Sequence, residues 1–195
     1  GYLQNGIEVK YFAQGEELSA LVRLVDYRRP DNNAFYVVNQ YTYAENGNTR
    51  RPDVILFLNG LPLVVMELKS PAKEDAGVEN AYHQLRNYMQ DIPSLFIYNA
   101  ICVISDLSTN RAGTITSGLD RFMEWKTKDG SYENTAYAQF DTFYEGMFQR
   151  ERLLDILKNF ILFSGDAQKP VKILAGYHQY FAVRKAAEKA LTATA

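Results

Sequence analysis

A chain of 195 residues with 47% hydrophobic and 23% charged residues is expected to be a globular unit with one full core. Its net charge of −2 and pI near 5.8 exclude a simple basic DNA-binding module, so any affinity for nucleic acid must be local or supplied by partners. The single cysteine, Cys102, excludes an internal disulfide and fits a reducing compartment; with no signal peptide or membrane-length apolar run, a cytoplasmic protein is expected.

In chain order, Ile7, Val9 and Tyr11 alternate, residues 14–17 can turn, and residues 22–25 are apolar apart from Arg23, which favours a hairpin. Leu18, Leu21, Val22 and Val25 also fit a helical stripe, so a short helix over residues 17–25 stays open as the alternative. Residues 35–43, rich in Phe, Tyr and Val, predict a strand after the Asp31-Asn32-Asn33 loop. Residues 54–58 are apolar on both faces and predict a central strand covered on both sides. Asn59-Gly60 supplies hairpin turn chemistry, Pro62 must lie outside the central ladder, and the return strand runs to Lys69.

Ser70-Pro71 should end that strand, and residues 75–91 have helix-forming composition closing before Pro93. Residues 97–105 read as another strand and residues 113–116 as a short edge strand. Residues 127–134 look like an exposed polar loop. From residue 150 to 163, Leu153, Leu154, Leu157, Phe160 and Ile161 form a core-facing helical stripe. Ser164-Gly165-Asp166 ends it, Lys169-Pro170 begins a linker, and residues 174–190 are again helical. The expected architecture is α/β, a mixed sheet of about five strands flanked by helices, with a C-terminal helical extension. The division expected is a domain over residues 1–148 and an extension over 149–195.

The chemistry gathers around the central hairpin. Side chains two apart on a strand share a face, so Glu67 and Lys69 project together while Val64, Met66 and Leu68 fill the other side. Pairing across Asn59-Gly60 brings Asp53 toward them. A buried strand ending in charges needs an ion, a ligand or water to satisfy them. Hard oxygen donors suit Mg²⁺ or Mn²⁺, although an isolated Glu-x-Lys is commonly a solvated ion pair and Asp before a strand a turn residue. Gln84 and Tyr88, four apart, share one face of the following helix and could hydrogen-bond a phosphate or carboxylate; from spacing alone, packing of Leu85 and Tyr88 on the sheet is the better reading. Arg28, Arg29, Arg50 and Arg51 are candidates for a phosphate-facing patch, Arg51 being two residues from Asp53; a solvated loop position is the ordinary reading of Arg28 and Arg29. With His83 and His178 the only histidines, no zinc-ligand cluster can be assembled, and His83 should be exposed.

Asp53, Glu67-x-Lys69 and Gln84-x-x-x-Tyr88 together resemble the PD-(D/E)xK nuclease superfamily, in the branch carrying a Gln-x-x-x-Tyr helix. Asn39-Gln40, the block from Asn59-Gly60-Leu61-Pro62 to Glu67-Leu68-Lys69, and Tyr177-His178-Gln179-Tyr180 resemble the N-terminal region of the restriction subunit of type I restriction-modification enzymes, over nearly the whole chain. The resemblance implies a restriction-endonuclease-like core in which Asp53 and Glu67 hold a divalent metal, Mg²⁺ or Mn²⁺. It implies that Lys69 orients the attacking water or stabilises charge on the scissile phosphate, with Gln84 and Tyr88 in positioning roles. Gln179 resembles an adenine-reading Q-motif glutamine. No Gly-x-x-x-x-Gly-Lys-Ser/Thr phosphate loop occurs, so ATP is expected to act only in a full-length subunit.

The function this implies is metal-dependent endonucleolytic hydrolysis of double-stranded DNA, in a complex with modification and specificity subunits. No base-reading helix is expected. Glu16 and Glu17 take no role from the sequence, although nucleases of this superfamily often carry an extra acid on the first core helix. A non-catalytic docking module with a nuclease fold and a repair-type exonuclease acting on DNA ends remain the alternatives.

Overall fold

The computed structural model describes residues 1–70, 77–131, 140–165 and 168–193. A short helix α1 (Tyr2–Asn5) precedes a hairpin of β1 (Ile7–Ala13) and β2 (Glu16–Val22), paired with Ala13 opposite Glu16. Gln14 and Gly15 both take positive φ, 54° and 84°, the turn conformation that matches strand twist, and this decides against a helix over residues 17–25. The hairpin projects into solvent, with Phe12 79% exposed.

β3 (Phe35–Asn39) is shorter than the sequence predicts, because Gln40 turns the chain through φ 52° and the next strand, β4 (Tyr43–Glu45), pairs instead with β5 (Asn48–Arg50). Then come β6 (Val54–Leu58) and β7 (Leu61–Leu68), joined through Asn59 and Gly60 at φ 51° and 82°. Next to this turn Leu58 faces Leu61 and Phe57 faces Pro62, so Pro62 lies within the ladder, at its turn end, rather than outside it; beyond a register shift Leu56 faces Val64 and Val54 faces Met66, so Leu63 is an extra residue bulged into β7. Helix α2 (Val78–Asp91) crosses over to β8 (Ile101–Ser105), which lies parallel to β7 as such a connection requires. Residues 75 and 76 of the predicted helix lie outside the described residues.

The strand expected over residues 97–105 starts only at Ile101, since Pro93–Phe96 form a 3₁₀ turn. The edge strand β9 (Asn110–Gly113) precedes its expected place, ending where residues 113–116 were to begin. The main sheet is therefore mixed and five-stranded, ordered β3-β6-β7-β8-β9. On one face Ile55, Val65, Cys102 and Ile104 meet Val78, Ala81, Leu85 and Tyr88 of α2. On the other, Leu56, Val64, Met66 and Val103 pack in a second cluster with the C-terminal elements. Coverage of both faces explains the unbroken apolar runs of β6 and β8.

Helices α3 (Phe140–Phe148) and α4 (Arg150–Asn159) supply Phe143, Met147, Leu153 and Leu157 to this second cluster. The helical stripe stops at Asn159: Ile161–Ser164 form β10, paired with β11 (Val171–Leu174), where a linker was expected, and α5 (Tyr177–Ala193) follows. Only Ile161 and Leu174, opposite each other at the base of this hairpin, are buried, so short apolar runs had fitted helix and strand alike. Of the expected exposed loop, Thr127 and Gly130 are buried, the latter beneath Phe181, and residues 132–134 lie outside the described residues. Among the described residues no helix is long and apolar enough to cross a membrane.

Leu85 is fully buried where α2 meets the sheet. Leu85→Ala should cost about 2–5 kcal/mol in urea unfolding, more than an exposed position on the same helix such as Gln90.

Candidate active site

Continuing the β6–β7 register by one step sets Asp53 beside Glu67, on the face that α2 covers. Asp53 is fixed through both carboxylate oxygens. Oδ2 accepts from the Leu68 backbone N–H at 2.8 Å, and Oδ1 accepts from Gln40 Nε2 at 2.7 Å. The Gln40 backbone N–H donates in turn to the Asp53 carbonyl at 2.8 Å. The left-handed turn that ended β3 thus serves to bring this amide to the aspartate.

Glu67 is only 4% exposed, near the end of β7. Its Oε1 accepts from Lys69 Nζ at 2.8 Å and its Oε2 from the Tyr88 hydroxyl at 3.1 Å. Lys69 continues the strand past Leu68, its N–H donating to the Ser105 carbonyl at 2.7 Å, and its side chain remains partly open to solvent. Burial raises the Glu67 carboxyl above the ordinary carboxylate range; the Lys69 hydrogen bond opposes this, and the Asp53 charge adds to it. Tyr88 is pushed up to about 12, chiefly by burial, with the Gln84 side chain pulling the other way and the two carboxylates reinforcing the rise. Tyr88 therefore keeps its proton and serves as a donor to Glu67.

Asp53, Glu67, Lys69, Gln84 and Tyr88 are thus gathered where β6 begins and β7 ends, under the middle of α2. The β4–β5 hairpin is tied to the far end of the same helix, with Arg50 Nε and NH2 on Asp91 Oδ2 at 2.7 and 2.6 Å. Arg50 is therefore an internal ion pair rather than part of an open phosphate patch. Arg51 is exposed and His83 is exposed, as expected. Gln179 lies in the first turn of α5, where its Oε1 accepts from the Gly176 N–H at 2.9 Å. Glu16 and Glu17 sit on the protruding hairpin, Glu17 paired with Lys10. Gln40 escaped the sequence reading as a site residue: it drew notice only as part of Asn39-Gln40, and no spacing rule links it to Asp53.

Among the described residues no three carboxylates, histidines or cysteines cluster as metal ligands. The donor set is a pair of hard carboxylates, Asp53 and Glu67, which fits a cation that retains waters and takes its other ligands from phosphate. The profile of the family described as Type I restriction enzyme R protein N terminus matches residues 1–121, more than half of the chain. The chain belongs to that family. It is 39% identical over 98% of its length to the "Type I restriction enzyme HindI endonuclease subunit" of Haemophilus influenzae, covering 19% of that protein. It is 32% identical over 97% of its length to the "Putative type I restriction enzyme MjaIXP endonuclease subunit" of Methanocaldococcus jannaschii, covering 20% of that one. The chain thus spans about a fifth of the curated relatives it matches. All five gathered residues fall within the stretch that matches the family, and Gln179 lies beyond it.

The raised Glu67 pKa fixes a sign. Folding favours the protonated carboxyl, so this contribution is complete below the ordinary glutamate pKa and is lost as pH rises through the raised one. In EDTA, wild-type melting temperature should fall with rising pH above the ordinary carboxylate range relative to Glu67→Gln, and melting curves across pH check this. Parallel profiles would contradict it.

Proposed function

We propose that this chain is the divalent-metal-dependent endonuclease domain of a type I restriction motor subunit, hydrolysing phosphodiester bonds in double-stranded DNA. The observation that carries the reading is the meeting of Asp53, Glu67 and Lys69 at adjacent strand ends, with Tyr88 and Gln84 behind them. The relatives' names as endonuclease subunits support the same chemistry. The arrangement matches the PD-(D/E)xK pattern that the sequence resembles.

Asp53 and Glu67 would hold Mg²⁺, with Mn²⁺ as a substitute, and the metal when bound supplies a more acidic water and neutralises charge on phosphoryl oxygens. Glu67 must be ionised for this, and Lys69 beside it favours that form. A lysine ammonium has three donors; one is used by Glu67, which leaves others for the attacking water or a phosphate oxygen. Water attacks phosphorus, the bond to the leaving oxygen breaks, and that oxygen takes up a proton. Gln40 and the Leu68 N–H restrict Asp53, and Tyr88 restricts Glu67, so the carboxylates need little reorganisation when charge develops. In the full-length subunit, ATP-driven translocation and the modification and specificity subunits would select where DNA is presented; Gln179 would belong to the ATP-reading part and Arg51 would touch a phosphate near Asp53.

Nicking of supercoiled plasmid in Mg²⁺ or Mn²⁺ against EDTA tests the reading. Asp53→Ala and Lys69→Ala should each lower metal-dependent nicking by about 100-fold or more. Calorimetric titration of Mn²⁺ should still show binding to Lys69→Ala and lose it in Asp53→Ala. Equal nicking by all three proteins, or loss of metal binding in Lys69→Ala, would sink the assignment of roles.

A further inference from the structure

A polar cleft of about 650 Å³ lies between α1, the end of β2 with the loop that follows it, and the last turn of α4. Arg23, Arg28, Arg29 and Lys158 line it against a single carboxylate, Asp26. None of the four cations forms an ion pair among the described residues. Asp26 is occupied internally: Oδ1 accepts from the backbone N–H of Arg28 and Arg29 at 2.9 and 3.0 Å, and Oδ2 from Asn32 Nδ2 at 2.7 Å. Those bonds fix the backbone that carries the two arginines; the Arg29 charge also acts on the Asp26 carboxylate, without a close ion pair. Lys158 lies over the Tyr27 ring at 5.5 Å.

Other clefts that gather two or more Lys or Arg side chains also carry two carboxylates. Arg111 and Lys126 share one with Asp120 and Glu124, and a neighbouring cleft that reuses Arg28 and Lys158, together with Arg184, also carries Glu151 and Asp155. An excess of positive charge in a concavity stands out on a chain of net charge −2. It also stands apart from the candidate active site. Asn59 joins the loop to the turn end of β6, its Nδ2 donating to the Leu24 carbonyl at 2.8 Å and its Oδ1 accepting from the Ala34 N–H at 2.8 Å. Asp53 is at the other end of β6, about 17 Å away along the strand.

We propose that this cleft is a second nucleic-acid contact, binding backbone phosphates of duplex DNA remote from the strand ends that carry Asp53, Glu67 and Lys69. The choice of ligand rests on the nuclease reading above. Two carboxylates at the candidate site repel DNA until a cation binds them, so further affinity from elsewhere on the surface is needed, and this cleft gathers four cations against one carboxylate. Three of its four cations are arginines, whose planar forks match phosphate oxygens in pairs. With a phosphate every 3.4 Å along each strand, the length of β6 alone corresponds to about five base pairs. Contacts of this kind set register without reading sequence.

The test is fluorescence anisotropy of a labelled duplex long enough to reach both places, titrated with the 195-residue chain in EDTA over a range of salt. Arg28→Ala combined with Arg29→Ala should weaken binding about 10-fold or more at low salt and flatten the log affinity against log salt slope by about 2. The paired lysine variants should retain most of the slope, and Asp53→Ala should not weaken binding. Circular dichroism checks folding, and Arg23→Glu serves as an independent variant if the double substitution unfolds. Unchanged affinity and slope in the alanine and Arg23→Glu variants would overturn the proposal. So would failure of wild-type to bind duplex while it binds polyglutamate, which would point to an acidic protein partner. Because EDTA abolishes cleavage, this result is separable from the nuclease reading: nicking can fail with this binding intact, and binding can be lost here while the metal site remains.

Discussion

The carboxylate of Glu67, sealed into the end of a central strand, is the constraint to which the surroundings answer. An ion at that depth is expensive unless both oxygens are engaged, and here one is met by an ammonium and the other by a phenol. Lys69 can reach it because the strand carries it to the same face two residues on. Tyr88 can reach it because α2 lies across that face. Burial outweighs both partners, so the carboxyl still lies above the ordinary carboxylate range.

The topology follows from covering this strand twice. β7 runs parallel to β8, so a crossover must leave the sheet, and α2 is that crossover. It covers one face with Val78, Ala81, Leu85 and Tyr88, while α3, α4 and the C-terminal hairpin and helix close the other. The polar pieces are small additions to this plan. Asn59 secures the basic loop at one end of β6, and Gln40 secures Asp53 at the other.

The centre of the fold was readable in sequence because its signals are local. Asn59-Gly60 between apolar runs specifies the hairpin, and period-two spacing places Glu67 and Lys69 on one face. The family resemblance gave Gln84 and Tyr88 their place in the site, since their spacing alone favoured simple packing. What was not readable depends on tertiary contact or on rare backbone states. Nothing in residues 35–43 announces that a glutamine will adopt φ 52° and divide the strand. Ile161-Leu162-Phe163 continues a helical stripe as well as it begins a strand, and pairing with residues 171–174 settles the choice. Arg28 and Arg29 looked like ordinary loop residues until folding brought Arg23 and Lys158 to the same cleft.

One unpaired residue has a larger part in this arrangement than its chemistry suggests. If the pairing beside Asn59-Gly60 continued unchanged, Asp53 would face Met66, and Glu67 would project into the opposite core. The bulge at Leu63 advances β7 by one residue, so Asp53 meets Glu67 instead. The two acids share a face through an error-like insertion in an apolar stretch, and a leucine with no reactive atom determines whether the carboxylates can act together at all.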